Sequence, residues 1–137
     1  MATTAISGIR ERRDSAVNAH FQAEAVNHDV AATVATFQHP RYEVPARAVV
    51  DGAEGVNALV SGLLSAFPDF YLHKIALHHV GDAVIVEARF GGTPRGTWPG
   101  IDPTGKRMEV QAVLIFVFEG ADLVCEKVYF DHATVLR

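Results

Sequence analysis

Residues 108–131 read MEVQAVLIFVFEGADLVCEKVYFD, two apolar runs separated by Glu119-Gly120-Ala121-Asp122. A glycine and an aspartate between β-rich runs mark a hairpin turn, so 108–118 and 123–131 are expected as paired strands. Val113-Leu114-Ile115-Phe116-Val117-Phe118 is apolar at every position. Side chains alternate faces along a strand, so this run is dry on both sides and needs cover on each. Helices are expected over one face, and a second copy of the chain over the other. A homodimer through the sheet is the resulting expectation.

Working outward, 83–90 and 70–79 read as two more strands joined by a Val80-Gly81-Asp82 turn. Residues 91–107 hold five glycines and three prolines, the composition of an irregular loop. The first half is helical in pattern. From Ile6 to Asn27, Ile9, Ala16, Val17, Phe21 and Ala25 fall near one stripe, with Arg10, Glu11, Arg12 and Asp14 as a wet flank. Asp29 can cap a short second helix bearing Val30, Val34 and Phe37, which His39-Pro40 stops. Tyr42 to Val44 and Ala46 to Val50 read as short extended pieces broken by Pro45. A third helix carries Val56, Leu59, Val60, Leu63, Leu64 and Phe67 and ends at Pro68. Helices followed by a meander of antiparallel strands give an α+β class.

The chain has 137 residues, 49% hydrophobic and 20% charged, with a formal net charge of −4. That fits one domain over 1–137 with a core large enough to fold without metal or disulfide. The single cysteine, Cys125, excludes an internal disulfide framework. No basic concentration points to nucleic acid. No uninterrupted apolar run suits a membrane span, and the start lacks a signal-peptide pattern, so a cytoplasmic location is expected.

Isolated polar residues inside apolar strands carry most of the functional information, because burying them unpaired is costly. Glu87 and Arg89 share a face, as do Glu109 and Gln111 on the next strand. On the last strand, Lys127, Tyr129 and Asp131 share a face opposite Val128 and Phe130. If these faces coincide, they line a concave, mixed-polarity pocket for a small molecule; otherwise they are rim or interface ion pairs. Asp131, set against Phe130 and Tyr129, would have its pKa raised by desolvation and could move a proton near neutral pH. It could instead simply cap a helix beginning at Ala133. His20 and His39 are candidate hydrogen-bonding groups of the pocket.

The histidines do not read as a metal site. His78 and His79 point to opposite faces, and His73 and His79 lie roughly 20 Å apart along a strand. His20 and His28 are two helical turns apart, and no partner carboxylate is apparent at metal spacing. Gly100-Ile101-Asp102-Pro103-Thr104-Gly105-Lys106 matches most of a phosphate-binding loop. Arg107 then replaces the required Ser or Thr, and a strand follows where a helix is needed. Cys125 shares the parity of Tyr129 and is at most a pocket thiol.

Ala66-Phe67-Pro68-Asp69-Phe70, Gly81-Asp82-Ala83-Val84, the run from Phe90 through Trp98-Pro99-Gly100, Pro103-Thr104-Gly105-Lys106 and the closing Glu126-Lys127-Val128-Tyr129-Phe130-Asp131 together resemble the SnoaL-like polyketide cyclases. These are a branch of the nuclear transport factor 2-like superfamily. The resemblance runs from about residue 10 to the end. It implies a cone of three N-terminal helices on a strongly curved antiparallel sheet, a deep pocket and a homodimer. It also implies a terminal-strand Asp, here Asp131, as general acid/base of an aldol ring closure without metal or cofactor. Trp98, Tyr129, Gln111, Glu87, Arg89, His39 and His20 are then the substrate-binding candidates.

The chain departs from the family at Pro94, where members often carry a His. Arg89-Phe90-Gly91 also stands in place of the Arg-x-Asp of limonene epoxide hydrolases. The expected activity is a cofactor-free lyase or isomerase on a carbonyl-bearing apolar small molecule. The alternatives are a non-catalytic small-molecule-binding protein of the same fold and, beyond that, a pure dimerisation module.

Overall fold

The computed structural model describes residues 2–98 and 100–135. Helix α1 (Ala2–Phe21) runs into a π-helical turn (Gln22–Val26), and α2 (Val30–Ala35) follows. Strands β1 (Arg41–Val44) and β2 (Ala48–Asp51) precede α3 (Ala53–Ala66). The second half is β3 (Tyr71–Val80), β4 (Ala83–Gly92), β5 (Met108–Glu119), β6 (Asp122–Phe130) and a short α4 (His132–Val135). The strands form one curved six-stranded sheet in the order β2-β1-β6-β5-β4-β3. The α+β reading holds, with one correction: β1 pairs parallel to β6, so the sheet is mixed. A fourth helix, α4, also joins the three expected.

Local chemistry accounts for the elements. Asp29 caps α2 by accepting the Ala32 N–H at 3.0 Å, satisfying one of the first-turn donors left without a helical partner. On α1 the buried positions Arg13, Val17, His20 and Phe21 recur at helical spacing and face the sheet. On β4, Val84, Val86 and Ala88 are buried while Glu87 and Arg89 are exposed. The inward face therefore holds the apolar core under the helices, and the polar residues take the outer face.

Arg13 ties this assembly together. It is 8% exposed, and its Nε and Nη1 donate to the carbonyls of Gly120 (2.8 Å) and Gly81 (2.9 Å). Its guanidinium lies 5.5 Å from the Phe118 ring centroid. Both acceptors sit at the tips of hairpins with positive φ, 60° and 55°, a conformation glycine adopts without a Cβ clash. One helix side chain thus pins the tips of the β3–β4 and β5–β6 hairpins.

Candidate active site: a buried acid–base cluster at the wall of an apolar cavity

Among the described residues, one concavity lies against each face of the sheet at its centre. The smaller, of about 110 Å³, lies between the helices and the inward face and is walled by side chains such as Leu63, Phe67, Phe90, Trp98 and Phe130. Its polar lining, apart from the Trp98 indole, consists among the described residues of Glu24, Tyr42 and Glu126. The larger, about 770 Å³, is an open groove on the outer face.

Glu24, Tyr42 and Glu126 meet around His20, brought there by four different elements. His20 is on α1, Glu24 one turn later on the π turn, Tyr42 on β1 and Glu126 on β6. His20 is 1% exposed and Glu126 3%. His20 Nδ1 stands 2.8 Å from Thr36 Oγ1, and the Thr36 hydroxyl donates to the Thr33 carbonyl at 2.6 Å. Its one proton committed, Thr36 must accept, so Nδ1 carries hydrogen. Tyr42 likewise donates to Glu24 Oε2 at 2.7 Å and so accepts from His20 Nε2 at 2.9 Å. Both ring nitrogens are donors, and His20 is an imidazolium.

The surrounding charges agree. Nε2 is 3.0 Å from Glu24 Oε2 and 2.9 Å from Glu126 Oε1. Burial alone would lower the His20 pKa, but the two carboxylates more than reverse this and push it up to about 10. Burial also opposes ionised Glu24, yet the hydrogen bonds from His20 and Tyr42 outweigh it and hold that carboxyl below its usual range. Glu126 moves the other way, raised by burial and by the charge of Glu24. Tyr42 is raised well above its ordinary value, first by burial and then by both glutamates. The resulting state is an ion pair of His20 and Glu24 beside a second buried carboxyl whose pKa is raised. Although Glu126 Oε1 is close to Nε2, no donor among the described residues is aligned on it. Glu126 is therefore the member with hydrogen-bonding capacity left over.

The sequence-predicted residues fall into three groups. Trp98 lines the deep cavity, and His20 stands behind its polar corner. Glu87, Arg89, Gln111 and Tyr129 do come together, Arg89 opposite Gln111 and both Glu87 and Tyr129 opposite Val113, but in the outer groove. Their shared parity was readable; which side of the sheet it faced was not.

Asp131 and His39 lie elsewhere. Asp131 is exposed, and its Oδ1 accepts the backbone N–H groups of Ala133 and Thr134 at 3.1 and 3.4 Å, capping α4. His39 is exposed at the sheet edge, 2.9 Å from Asp51. Cys125 is not in the deep cavity either; its thiol donates to Glu43 at 3.3 Å.

Glu24, Tyr42 and Glu126 were missed. Glu126 shares the parity of Val128 and Phe130, so a carboxylate on the apolar side of the last strand was the available signal. The expectation that His20 has no partner carboxylate at metal spacing is also corrected. Glu24 follows it at i+4, and His20, Glu24 and Glu126 place one potential ligand atom each within 4.8 Å of one another. These atoms also stand at hydrogen-bond separations, His20 Nε2 being 3.0 Å from Glu24 and 2.9 Å from Glu126.

With this geometry in place, the known relatives can be set beside it. A family model described as SnoaL-like polyketide cyclase matches residues 16–137. The chain belongs to the SnoaL-like polyketide cyclase family. No curated protein matches it. A SnoaL-like protein from Jannaschia sp. CCS1 shares 21% identity and superposes with a TM-score of 0.80 over 92% of each chain. A phenazine biosynthesis-related protein from Pseudomonas aeruginosa reaches 0.81 at 14% identity, over 99% of this chain and 91% of that one. An LEH-like epoxide hydrolase from M. tuberculosis gives 0.72 at 17% identity, over 91% and 86%. At these identities the likenesses show the fold alone, which is that of nuclear transport factor 2-like structures. Membership of this family supports a small-molecule-binding or catalytic role without selecting an activity.

Proposed function

We propose that this SnoaL-like chain is a cofactor-free lyase or isomerase that moves a proton beside the carbonyl of a small, largely apolar molecule, with Glu126 as the acid/base. The observation that carries this reading is the placement of Glu126. It is a nearly fully buried carboxyl on an apolar cavity wall, with its pKa raised and one oxygen lacking an aligned donor. A buried carboxyl whose pKa is raised is suited to both giving and taking a proton. His20 and Tyr42 act as positioning residues: they fix the charge state of the cluster and do not line up on a reacting atom. Asp131, the residue the family resemblance points to, is outside the cavity in this arrangement.

The test is hydrogen–deuterium exchange at the carbon beside the carbonyl of cyclohexanone, followed by NMR in D₂O. The wild-type chain should accelerate exchange, and Glu126→Gln should lose about 10²-fold or more of that acceleration. Full exchange in Glu126→Gln would overturn the assignment. A second reading, a binding protein without turnover, is favoured by one feature. Apart from the Trp98 indole, the described lining offers no polar group outside the Glu24–Tyr42–Glu126 corner to stabilise a developing oxyanion. Saturable ligand binding with no catalysed exchange would establish it.

The outer face supports the homodimer as part of this proposal. Ile75, Val113 and Tyr129 are 51%, 38% and 44% exposed there, an unusual concentration for a solvated sheet. Sedimentation velocity should show a dimer that Val113→Lys converts to monomer; a monomeric wild type at micromolar concentration would refute it.

A further inference from the structure

We propose that the deep cavity selects an electrically neutral molecule about the size of one ring, apolar over its body and with a single oxygen directed at Glu126. This rests on the place given to Glu126 above, not on its acid–base chemistry.

Size comes from the walls. An apolar cavity of about 150 Å³ accommodates benzene, and this one, at about 110 Å³, sets a single ring as the upper limit, reached with small outward shifts of its walls. Val60, Phe67 and Leu114, among its walls, are 1%, 2% and 3% exposed. Such side chains are packed from behind, so a fused multi-ring ligand would have to strain the core to enter.

Charge comes from the polar corner. No Lys, Arg or His lines the cavity among the described residues, so an anion there would meet the lining carboxyls of Glu24 and Glu126 before the His20 cation behind them. A cation drawn to Glu126 would stand beside the His20 ring, whose Nε2 is 2.9 Å from Glu126 Oε1. The imidazolium, fixed by the Thr36 and Tyr42 hydrogen bonds, would repel it. A neutral molecule meets neither penalty. A hydroxyl there can donate to Glu126 Oε1, and a carbonyl oxygen can accept from Glu126 when the carboxyl holds its proton, while aromatic and aliphatic walls cover the rest.

The experiment is a binding series read by saturable change in the fluorescence of Trp98, which lines the cavity and is the chain's single tryptophan. The probes are cyclohexanone, cyclohexanecarboxylate, cyclohexylammonium and the two-ring ketone 1-decalone. Cyclohexanone should bind at least about tenfold more tightly than each of the others. Leu63→Ala, or Leu59→Ala should the first fail to fold, should relieve the exclusion of 1-decalone while leaving that of both ions. Equal or tighter binding of either ion or of 1-decalone by the wild type overturns the proposal, as does binding of none of the four. Glu126→Gln, which keeps a neutral hydrogen-bonding group, should preserve the same order of affinities. That order without catalysed exchange upholds the proposal while refuting Glu126 as acid/base. Catalysed exchange with 1-decalone preferred does the reverse.

Discussion

Replacing His20, Glu24 and Glu126 together by glutamine removes the cluster's titrations while keeping hydrogen-bonding side chains in place. The informative quantity is then the pH dependence of stability, because His20 holds its proton in the folded state up to about 10 and releases it near its ordinary value, about 6.5, when unfolded. A group with a raised folded pKa stabilises fully below the unfolded value, and that contribution drains away as pH climbs to the folded one. Between the two limits the folded state binds one more proton than the unfolded. Wild-type unfolding free energy should therefore fall by up to about 1.4 kcal/mol per pH unit. Across the whole window this is on the order of 5 kcal/mol, comparable to the total stability of many domains. Urea titrations followed by circular dichroism at pH 7 to 9.5 measure it directly. The wild type should decline steeply and the triple variant should stay nearly flat. Parallel slopes in the two proteins would mean that His20 is not a buried cation, and the charge assignment of the cluster would go with it.

Tyr42→Phe should cost about 1–3 kcal/mol in the same titration at pH 7, because it leaves Glu24 and the His20 Nε2 hydrogen without the partner they share; a change below about 0.5 kcal/mol would contradict the hydrogen-bond chain. Arg13→Ala should destabilise by on the order of 3 kcal/mol through two lost charge-assisted bonds to hairpin carbonyls, with cyclohexanone affinity unchanged; a stability equal to wild type would show that the clamp is idle. Asp131→Ala should cost about 1 kcal/mol as a lost helix cap and leave catalysed exchange intact. Abolished exchange in a folded Asp131→Ala protein would return the acid/base role to that residue.

The architecture was legible because hydrophobic period and turn chemistry act locally. The Glu119-Gly120-Ala121-Asp122 turn and the apolar run from Val113 to Phe118 were enough to place the central hairpin. The parallel pairing of β1 with β6 joins Tyr42 to Glu126, and no local pattern encodes such a long-range contact. The site was lost at this point. Parity grouped Glu87, Arg89, Gln111 and Tyr129 correctly, but a period of two does not say which face the helices cover. The buried face needed a different cue: the odd carboxylate among Val128 and Phe130, and its partner at i+4 from a helix histidine. Asp131 drew attention by its position at the strand end, where capping explains an aspartate as well as catalysis does.

The closing strand also sets an order of events for the chain on the ribosome. His20, Glu24 and Tyr42 are synthesised long before Glu126, and β1 has no partner other than β2 until β6 emerges. A nascent chain must therefore keep the histidine and its first carboxylate hydrated while the middle of the molecule is made. Only when the final strand slots between β1 and β5 is the polar corner sealed from water. Removing that strand would leave an open sheet with two new edges, a species inclined to pair with its neighbours before it is ever finished.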